Sequence, residues 1–328
     1  MCHKIKYMKS ILVLILFVGF IVATGCEQKQ KAAEDKKPIT EQPIKQVEEV
    51  FPNEDGKFHG EYIIEAQEAK DKIEKEHVLF VDARGWQQAL LGTVKGAIAT
   101  TWQELCTCQE GKAGDASWGK IPETADLANR LGERGMTKSK EIILLGDTLN
   151  GWGDDARLLW ELRAAGYSNV KIVNGGMQAL KDAGADMQLL AASPSPALVT
   201  IDSIDVTHTI TTEQLQASYS SYKIIDVRTD EEFQGAVLYE EEKGGHLPGA
   251  IHMRYTDLFL ENGTLKSNKE IIAICEANGL QKEDQIVTYC TGGIRSSYTQ
   301  VVLEMCGYRN TYNYDQSYWR WCKVGEVE

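Results

Sequence analysis

Basic residues are in the minority in this 328-residue chain, with 35 Lys and Arg against 48 Asp and Glu and a formal net charge of −13. Nucleic-acid binding needs clustered cations along the phosphate track, so no nucleic-acid partner is expected. Histidine is equally scarce. The six His residues fall nowhere with metal-ligand spacing, and the one close cysteine pair, Cys106-Thr107-Cys108, has a single intervening residue, which is poor spacing for zinc. Neither a metal nor any other cofactor is therefore predicted. The uncharged run from Ser10 to Gly25 falls short of the roughly 20 apolar residues that a spanning helix needs. What remains is an apolar content of 43%, ordinary for a globular protein, in a chain long enough for two domains of usual size.

The first 25 residues read as an export signal, with Lys4, Lys6 and Lys9 ahead of the uncharged run and small residues before Cys26. Ala23-Thr24-Gly25-Cys26 resembles a bacterial lipobox, although Ala23 stands where Leu is usual. The resemblance implies lipidation at Cys26 and a membrane partner reached through that lipid, with the folded part extracytoplasmic, in the periplasm or at the cell surface. Residues 26–60 are rich in Lys, Glu, Gln and Pro and nearly lack apolar periodicity, so they read as a flexible polar tether.

Beyond the tether lies an internal repeat. His77-Val78-Leu79-Phe80-Val81-Asp82-Ala83-Arg84 corresponds to Tyr222-Lys223-Ile224-Ile225-Asp226-Val227-Arg228, each an apolar strand ending in Asp-x-Arg. Gly92 to Ile98 matches Gly245 to Ile251, Ile142 to Leu145 matches the strand before Cys290, and Leu162 to Tyr167 matches Leu303 to Tyr308. Four matches in one order, with strands alternating with helical segments, predict two doubly wound α/β domains, each a parallel sheet flanked by helices. The boundaries are 61–190 and 207–328, joined by a linker over 191–206 that contains Ser193-Pro194-Ser195-Pro196.

The second domain carries the chemistry, in Ile286-Val287-Thr288-Tyr289-Cys290-Thr291-Gly292-Gly293-Ile294-Arg295-Ser296-Ser297. The residues before Cys290 suit a buried parallel strand, and Tyr298, Val301, Val302 and Met305 repeat along one helical face. The loop therefore joins a strand end to a helix start. Gly292 and Gly293 let successive N–H groups converge on an anion, and Ser296 or Ser297 is placed to cap the helix. A helix end contributes roughly 0.3–2 kcal/mol, on the order of one pKa unit. The loop N–H groups and Arg295 must supply the rest of any thiolate stabilisation.

Cys290-Thr291-Gly292-Gly293-Ile294-Arg295 resembles the Cys-x4-Arg active-site loop of the rhodanese (sulfurtransferase) family. The Asp-x-Arg strand ends and Gly245-His246-Leu247-Pro248-Gly249-Ala250-Ile251 are further marks of that family, and the likeness covers about 62–190 and 207–325. It implies a tandem sulfurtransferase of the thiosulfate or 3-mercaptopyruvate type, with a persulfide on Cys290. The partners would be a small sulfur-containing anion as donor and a thiol or cyanide-like acceptor. Arg295 would hold the donor or close the cradle by bonding loop carbonyls. Thr291, Gly292, Gly293, Ile294, Ser296, Arg228 and His246 would line the substrate site, with Asp226 structural. In the first domain Gly146 falls opposite Cys290 and Asp154 opposite Arg295, so that domain is expected to be inactive, its loop bearing the repelling carboxylates Asp147, Asp154 and Asp155. Trp152 or its neighbours would provide one wall of the cleft.

Two departures from the family pattern stand out. Asp315-Gln316-Ser317-Tyr318 replaces Asp-Gly-Ser-Trp, and Glu232 occupies the place where many two-domain members carry a substrate-binding Arg. Cys275 and Cys306 read as core residues, whereas Cys106 and Cys108 are open between a disulfide, a second thiol relay and an inert loop. A non-turnover persulfide carrier, or an oxyanion-binding or sensing protein, is the competing reading. A phosphatase conflicts with the four-residue spacing between Cys290 and Arg295.

Overall fold

The computed structural model describes residues 55–328. The export signal, Cys26 and most of the tether lie outside the described residues. The first half runs β1 (Ile63–Ile64), α1 (Ala66–Asp71), β2 (Val78–Asp82), α2 (Trp86–Ala89), β3 (Thr93–Val94), β4 (Ile98–Ala99), α3 (Thr124–Glu133), β5 (Glu141–Leu145), α4 (Asp154–Ala164), β6 (Val170–Val173), α5 (Gly176–Asp182) and β7 (Met187–Gln188). The second runs α6 (Thr212–Ala217), β8 (Lys223–Asp226), α7 (Asp230–Phe233), β9 (Ile251–His252), α8 (Asn268–Ala277), β10 (Ile286–Tyr289), α9 (Ile294–Met305), β11 (Thr311–Asn313) and α10 (Ser317–Val324).

The two halves are α/β with the same parallel strand order. The first sheet is β1-β6-β5-β2-β4 and the second is β11-β10-β8-β9, with Thr209 bridging in parallel to Asn313 in the place that β1 takes. β5 and β10 sit inside their sheets, so every residue in them is buried and apolar runs such as Ile142 to Leu145 are tolerated on both faces. Register fixes the equivalence of the two functional turns. Asp82 pairs with Leu145 as Asp226 pairs with Tyr289, which makes Gly146 the positional counterpart of Cys290.

The halves are not independent bodies. One hydrophobic cluster contains Leu144, Leu158 and Leu162 from the first half together with Tyr255, Phe259, Tyr298 and Val302 from the second. Each half also has an outer cluster of its own on the far side of its sheet. Across the shared boundary Arg163 forks onto Glu304 at 2.9 and 2.8 Å, and the Tyr255 hydroxyl donates to the Thr148 carbonyl at 3.0 Å.

Two connections differ from the sequence reading. Phe58 is buried, and His59 exchanges hydrogen bonds with Asn268, its N–H donating at 2.8 Å and its carbonyl accepting at 2.9 Å. These residues, assigned to the tether by composition, are docked on the second half because one aromatic side chain and one amide are enough to anchor them. The 191–206 linker has no helix or strand and still lies against the first half. The Ala197 N–H donates to the Gly132 carbonyl at 2.9 Å, and a Cβ on Gly135 would fall 2.2 Å from the Ser195 carbonyl oxygen.

Candidate active site

Cys290 follows directly on β10 and is fully buried. The sulfur accepts the Gly293 N–H at 3.1 Å, and the Ser296 hydroxyl faces it at 3.7 Å. Burial works against ionisation, but the Arg295 charge, the N–H and hydroxyl of Ser296 and the N–H of Gly292 together hold the thiol below its ordinary pKa. The direction is the one that the loop composition called for.

The helix cap is a correction. Ser296 and Ser297 were expected to cap α9, yet the cap residue is Gly293, left-handed at φ +84°, and both serines lie within the first turn. The Ser297 hydroxyl bonds back to the Ile294 carbonyl at 2.7 Å. The sulfur of Cys290 takes the role of the missing cap oxygen, because it accepts the N–H of the cap residue Gly293 and its charged form is favoured by the backbone N–H of Ser296 in the first turn.

Both loop glycines are required sterically. A Cβ on Gly292 would lie 2.3 Å from the Trp319 ring, and one on Gly293 would lie 2.2 Å from the Asp315 carbonyl oxygen. The 315–319 segment in turn holds the loop backbone: the Cys290 N–H donates to the Ser317 hydroxyl at 3.1 Å, the Tyr318 N–H to the Cys290 carbonyl at 3.0 Å and the Trp319 N–H to the Thr291 carbonyl at 3.0 Å. Gln316 has ordinary helical φ, so the turn needs no glycine there. The left-handed residue is Ser317, at φ +49°.

Arg295 differs from the expectation that it bonds loop carbonyls. Its Nη1 and Nη2 fork onto the Glu232 carboxylate at 2.7 and 2.8 Å, and Nη2 also donates to the Thr291 hydroxyl at 2.8 Å. The Thr291 hydroxyl donates onward to Glu232 at 2.5 Å. Glu232 is aimed by a capping box at the start of α7, where it also accepts the Thr229 N–H at 3.0 Å. Despite complete burial, which alone would raise it, its carboxyl is held down at about 2 by Arg295. The planar guanidinium also lies 4.7 Å from the Trp152 ring, so the first half does provide an aromatic wall. A cavity of about 260 Å³ opens on Arg295 and is further lined by Thr229, Asp230, Glu231, Arg254 and Tyr255.

The remaining candidates separate into support and scaffold. Ile294 is buried in the central cluster. Arg228 lines the same cavity; its Nη2 donates to Asp226 at 2.6 Å and to the Gly245 carbonyl at 2.8 Å, its guanidinium lies 4.0 Å from the Tyr318 ring, and its Nη1 has no hydrogen-bond partner among the described residues. The Tyr289 hydroxyl also donates to Asp226 at 2.5 Å, so Asp226 holds Arg228 in a buried ion pair at the cavity edge. His246 is committed elsewhere, with Nδ1 at 3.0 Å from the Phe233 carbonyl and its ring stacked on Phe233 at 3.9 Å.

In the first half the equivalent space is filled. A Cβ on Gly146 would meet the Asp155 carboxylate at 2.4 Å, and Asp155 is itself pushed up to about 7 by burial. Asp154 is raised to about 6 by the same cause. Asp155 therefore also occludes by volume, which adds a steric block to the electrostatic one expected from these carboxylates. Cys106 and Cys108 are joined by a disulfide, and the thiols of Cys275 and Cys306 are free and buried in the core. The disulfide sits in an insertion that reaches the active loop: Trp118 packs edge-on against Trp319 at 5.1 Å, and Gln316 Nε2 donates to the Ala116 carbonyl at 3.0 Å. No group of three or more potential metal ligands occurs among the described residues.

The sequence reading missed Ser317, Trp319 and, from the first half, Arg157. Of these, only Ser317 had a usable signal, as the serine retained from the family's Asp-Gly-Ser-Trp segment.

Comparison with known proteins agrees with this architecture. The chain is 29% identical over 209 residues to the thiosulfate sulfurtransferase of Corynebacterium glutamicum, covering 60% of this chain and 67% of that one. It is also 29% identical over 212 residues to the sulfur carrier protein TtuD of Thermus thermophilus, covering 61% and 73%. Among solved structures, wild-type EanB superposes with a TM-score of 0.71 at 19% identity over 82% of this chain and 69% of that one, and YnjE with 0.68 at 21% identity over 81% and 68%, which is a likeness of fold. The rhodanese-like domain model matches twice, over residues 65–183 and 211–324, each match holding one sheet and one strand-to-helix turn of the kind described, and the chain belongs to the rhodanese family.

Proposed function

We propose that this protein is a sulfurtransferase in which Cys290 carries a sulfane sulfur between a small anionic donor and a thiophilic acceptor. The single observation that carries the reading is a buried thiol at a strand end whose sulfur accepts the Gly293 N–H and whose pKa is held low by Arg295 and the first turn of α9. The thiolate attacks the outer sulfur of thiosulfate, breaking its S–S bond and releasing sulfite, or the single sulfur of 3-mercaptopyruvate, breaking its C–S bond and releasing the enolate of pyruvate, which takes up the substrate's thiol proton; either route leaves a persulfide on Cys290. A cyanide or thiol acceptor then takes the outer sulfur and returns Cys290 to the thiolate, a two-stroke cycle with ping-pong kinetics. The same N–H groups serve both anions, since the persulfide carries its charge one atom further out. The first half, with Gly146 and Asp155 in the equivalent turn, is assigned no turnover of its own.

A second reading, sulfur carriage without multiple turnover, has in its favour the Thermus relative's name and the complete burial of Cys290. Intact-protein mass measurement after mixing with thiosulfate or mercaptopyruvate separates the readings. A sulfur added at Cys290 and discharged catalytically to cyanide or a thiol supports the enzyme, discharge only to a protein partner supports the carrier, and no added sulfur rejects both.

The location assigned with this function is extracytoplasmic, with the chain exported and acylated at Cys26. The Cys106–Cys108 disulfide favours that assignment, since such bonds persist in oxidising compartments. Cys26→Ser should release the protein from membranes, and a variant that still sediments with them as an unprocessed chain would mark the segment as a spanning anchor.

A further inference from the structure

Arg157, the fourth residue of α4, is fully buried. Its guanidinium lies 4.5 Å from the Trp160 ring and 5.3 Å from that of Trp102. Nε donates to Glu161 at 3.2 Å and Nη2 to the Gly119 carbonyl at 2.7 Å, while Nη1 crosses into the second half and donates to the Gly293 carbonyl at 3.2 Å. Gly293 is the residue whose own N–H meets the Cys290 sulfur. Asn313 shares the same carbonyl through Nδ2 at 3.3 Å, and its Oδ1 accepts the Ser296 hydroxyl that faces the sulfur. The carbonyl of the helix cap is therefore gripped from both halves.

The grip has a mirror image that carries no charge. Tyr298 of α9 lies against Gly153, the left-handed residue that opens α4, where an added Cβ would fall 3.2 Å from the Tyr298 ring. Each central helix braces the start of the other, and a cation does so only on the side of the thiol. A buried guanidinium is a costly way to fill space. Burial pushes its neighbour Glu161 up to about 8, the buried Asp315 carboxyl of the second half also interacts with its charge, and two carbonyls and two indole faces complete its surroundings.

We propose that Arg157 is a positioning residue for the Cys290 site, acting from the nucleophile-free half through the Gly293 carbonyl to fix the left-handed cap and so the aim of the Gly293 N–H at the sulfur. This rests on Cys290 being the reacting thiol, but its test needs no sulfur donor.

The readout is the ultraviolet absorbance of the Cys290 thiolate against pH, taken as the difference between each variant and the same variant carrying Cys290→Ser. Replacing the ion pair together, Arg157→Met with Glu161→Met, keeps the volume and removes the carboxyl at 161, and making the pair in an Asp315→Asn background controls for the other buried carboxyl on which the Arg157 charge acts. The thiol titration should move upward by about half to one pH unit, which is about a three- to tenfold loss in the thiolate-to-thiol ratio well below the midpoint. Arg157→Lys, which keeps charge but loses the fork across Gly119 and Gly293, should shift it by about half as much. A folded pair variant with the parent's titration overturns the proposal. Should that variant fail to fold, an unchanged titration in Arg157→Lys overturns it instead. A shifted titration in a protein that never acquires sulfur from thiosulfate or mercaptopyruvate would sink the transferase reading and leave this one standing.

Discussion

The two halves have the same strand order and the same strand-to-helix turn, yet one turn holds a cysteine sulfur and the other a carboxyl. In the second half residues 290–293 suffice to pass from β10 to α9, and the shortness forces the N–H groups of that turn around the sulfur. In the first half residues 146–153 bridge β5 and α4, the nucleophile position is glycine, and Asp155 folds back into the vacated volume. The lesson is that this fold supplies a concavity at that turn whether or not anything reacts there. Loop length and one side chain decide whether it is a cradle or a plug.

The sharpest test of that contrast removes the nucleophile. Cys290→Ser should abolish turnover with every donor, and sulfur mapping should find none on residues 62–190; added sulfur on Cys106 or Cys108 in that variant would show that the first half is not silent. Next in size is Gly292→Ala, whose methyl would enter the Trp319 ring. Overpacking of this kind costs about 1–3 kcal/mol, so a melting point lower by several degrees and a distorted loop with activity reduced at least tenfold are expected, and a parent-like melt would show that Trp319 swings away freely. Arg295→Ala should lower kcat/KM about ten- to a hundredfold, from the roughly 1.5–3 kcal/mol of a charge-assisted hydrogen bond, and should raise the Cys290 pKa by removing the cation that depresses it. Adding Glu232→Gln controls for the carboxylate left buried without its partner.

The smallest effect comes from the plug. Asp155 has its folded pKa raised from an ordinary 3.8 to about 7 by burial. The folded form therefore binds a proton that the unfolded chain has released, and stability from this group is full below about pH 4 and lost progressively as pH rises toward 7. Asp155→Asn should leave the melting point near the parent's at low pH and raise it by a few degrees at pH 8. A pH-independent difference would indicate that the side chain matters for its hydrogen bonds alone.

Much of the architecture was legible because the chain repeats itself. Asp-x-Arg at both strand ends and Gly-Tyr after both central helices set the alignment that placed Gly146 opposite Cys290, and the strand register gives the same pairing. The nucleophile, the guanidinium and the glycine pair were readable from one loop. What could not be read were partnerships made across long sequence separations. Glu232 stood out only as a departure from pattern, since nothing local to Thr229-Asp230-Glu231-Glu232 says that its capping carboxylate will also meet Arg295. Arg157 and Glu161, spaced four apart, have the appearance of a solvated helix face, and their burial follows from α4 packing on α9. His246 shows the opposite case, a residue with a reactive side chain that the fold ties to the Phe233 carbonyl and ring.

The shared central cluster also bears on how the protein is made. Synthesis delivers the first half before α9 exists, so Leu158, Leu162 and the buried Arg157 emerge on a helix whose covering partner lies more than a hundred residues from being translated. Until then that face of α4 is open to solvent and to misassociation, as is common for domains that complete each other late. Maturation should accordingly be a single late event, with chains truncated before residue 294 sensitive to protease along α4 and protection appearing only in chains that include residues 294–305.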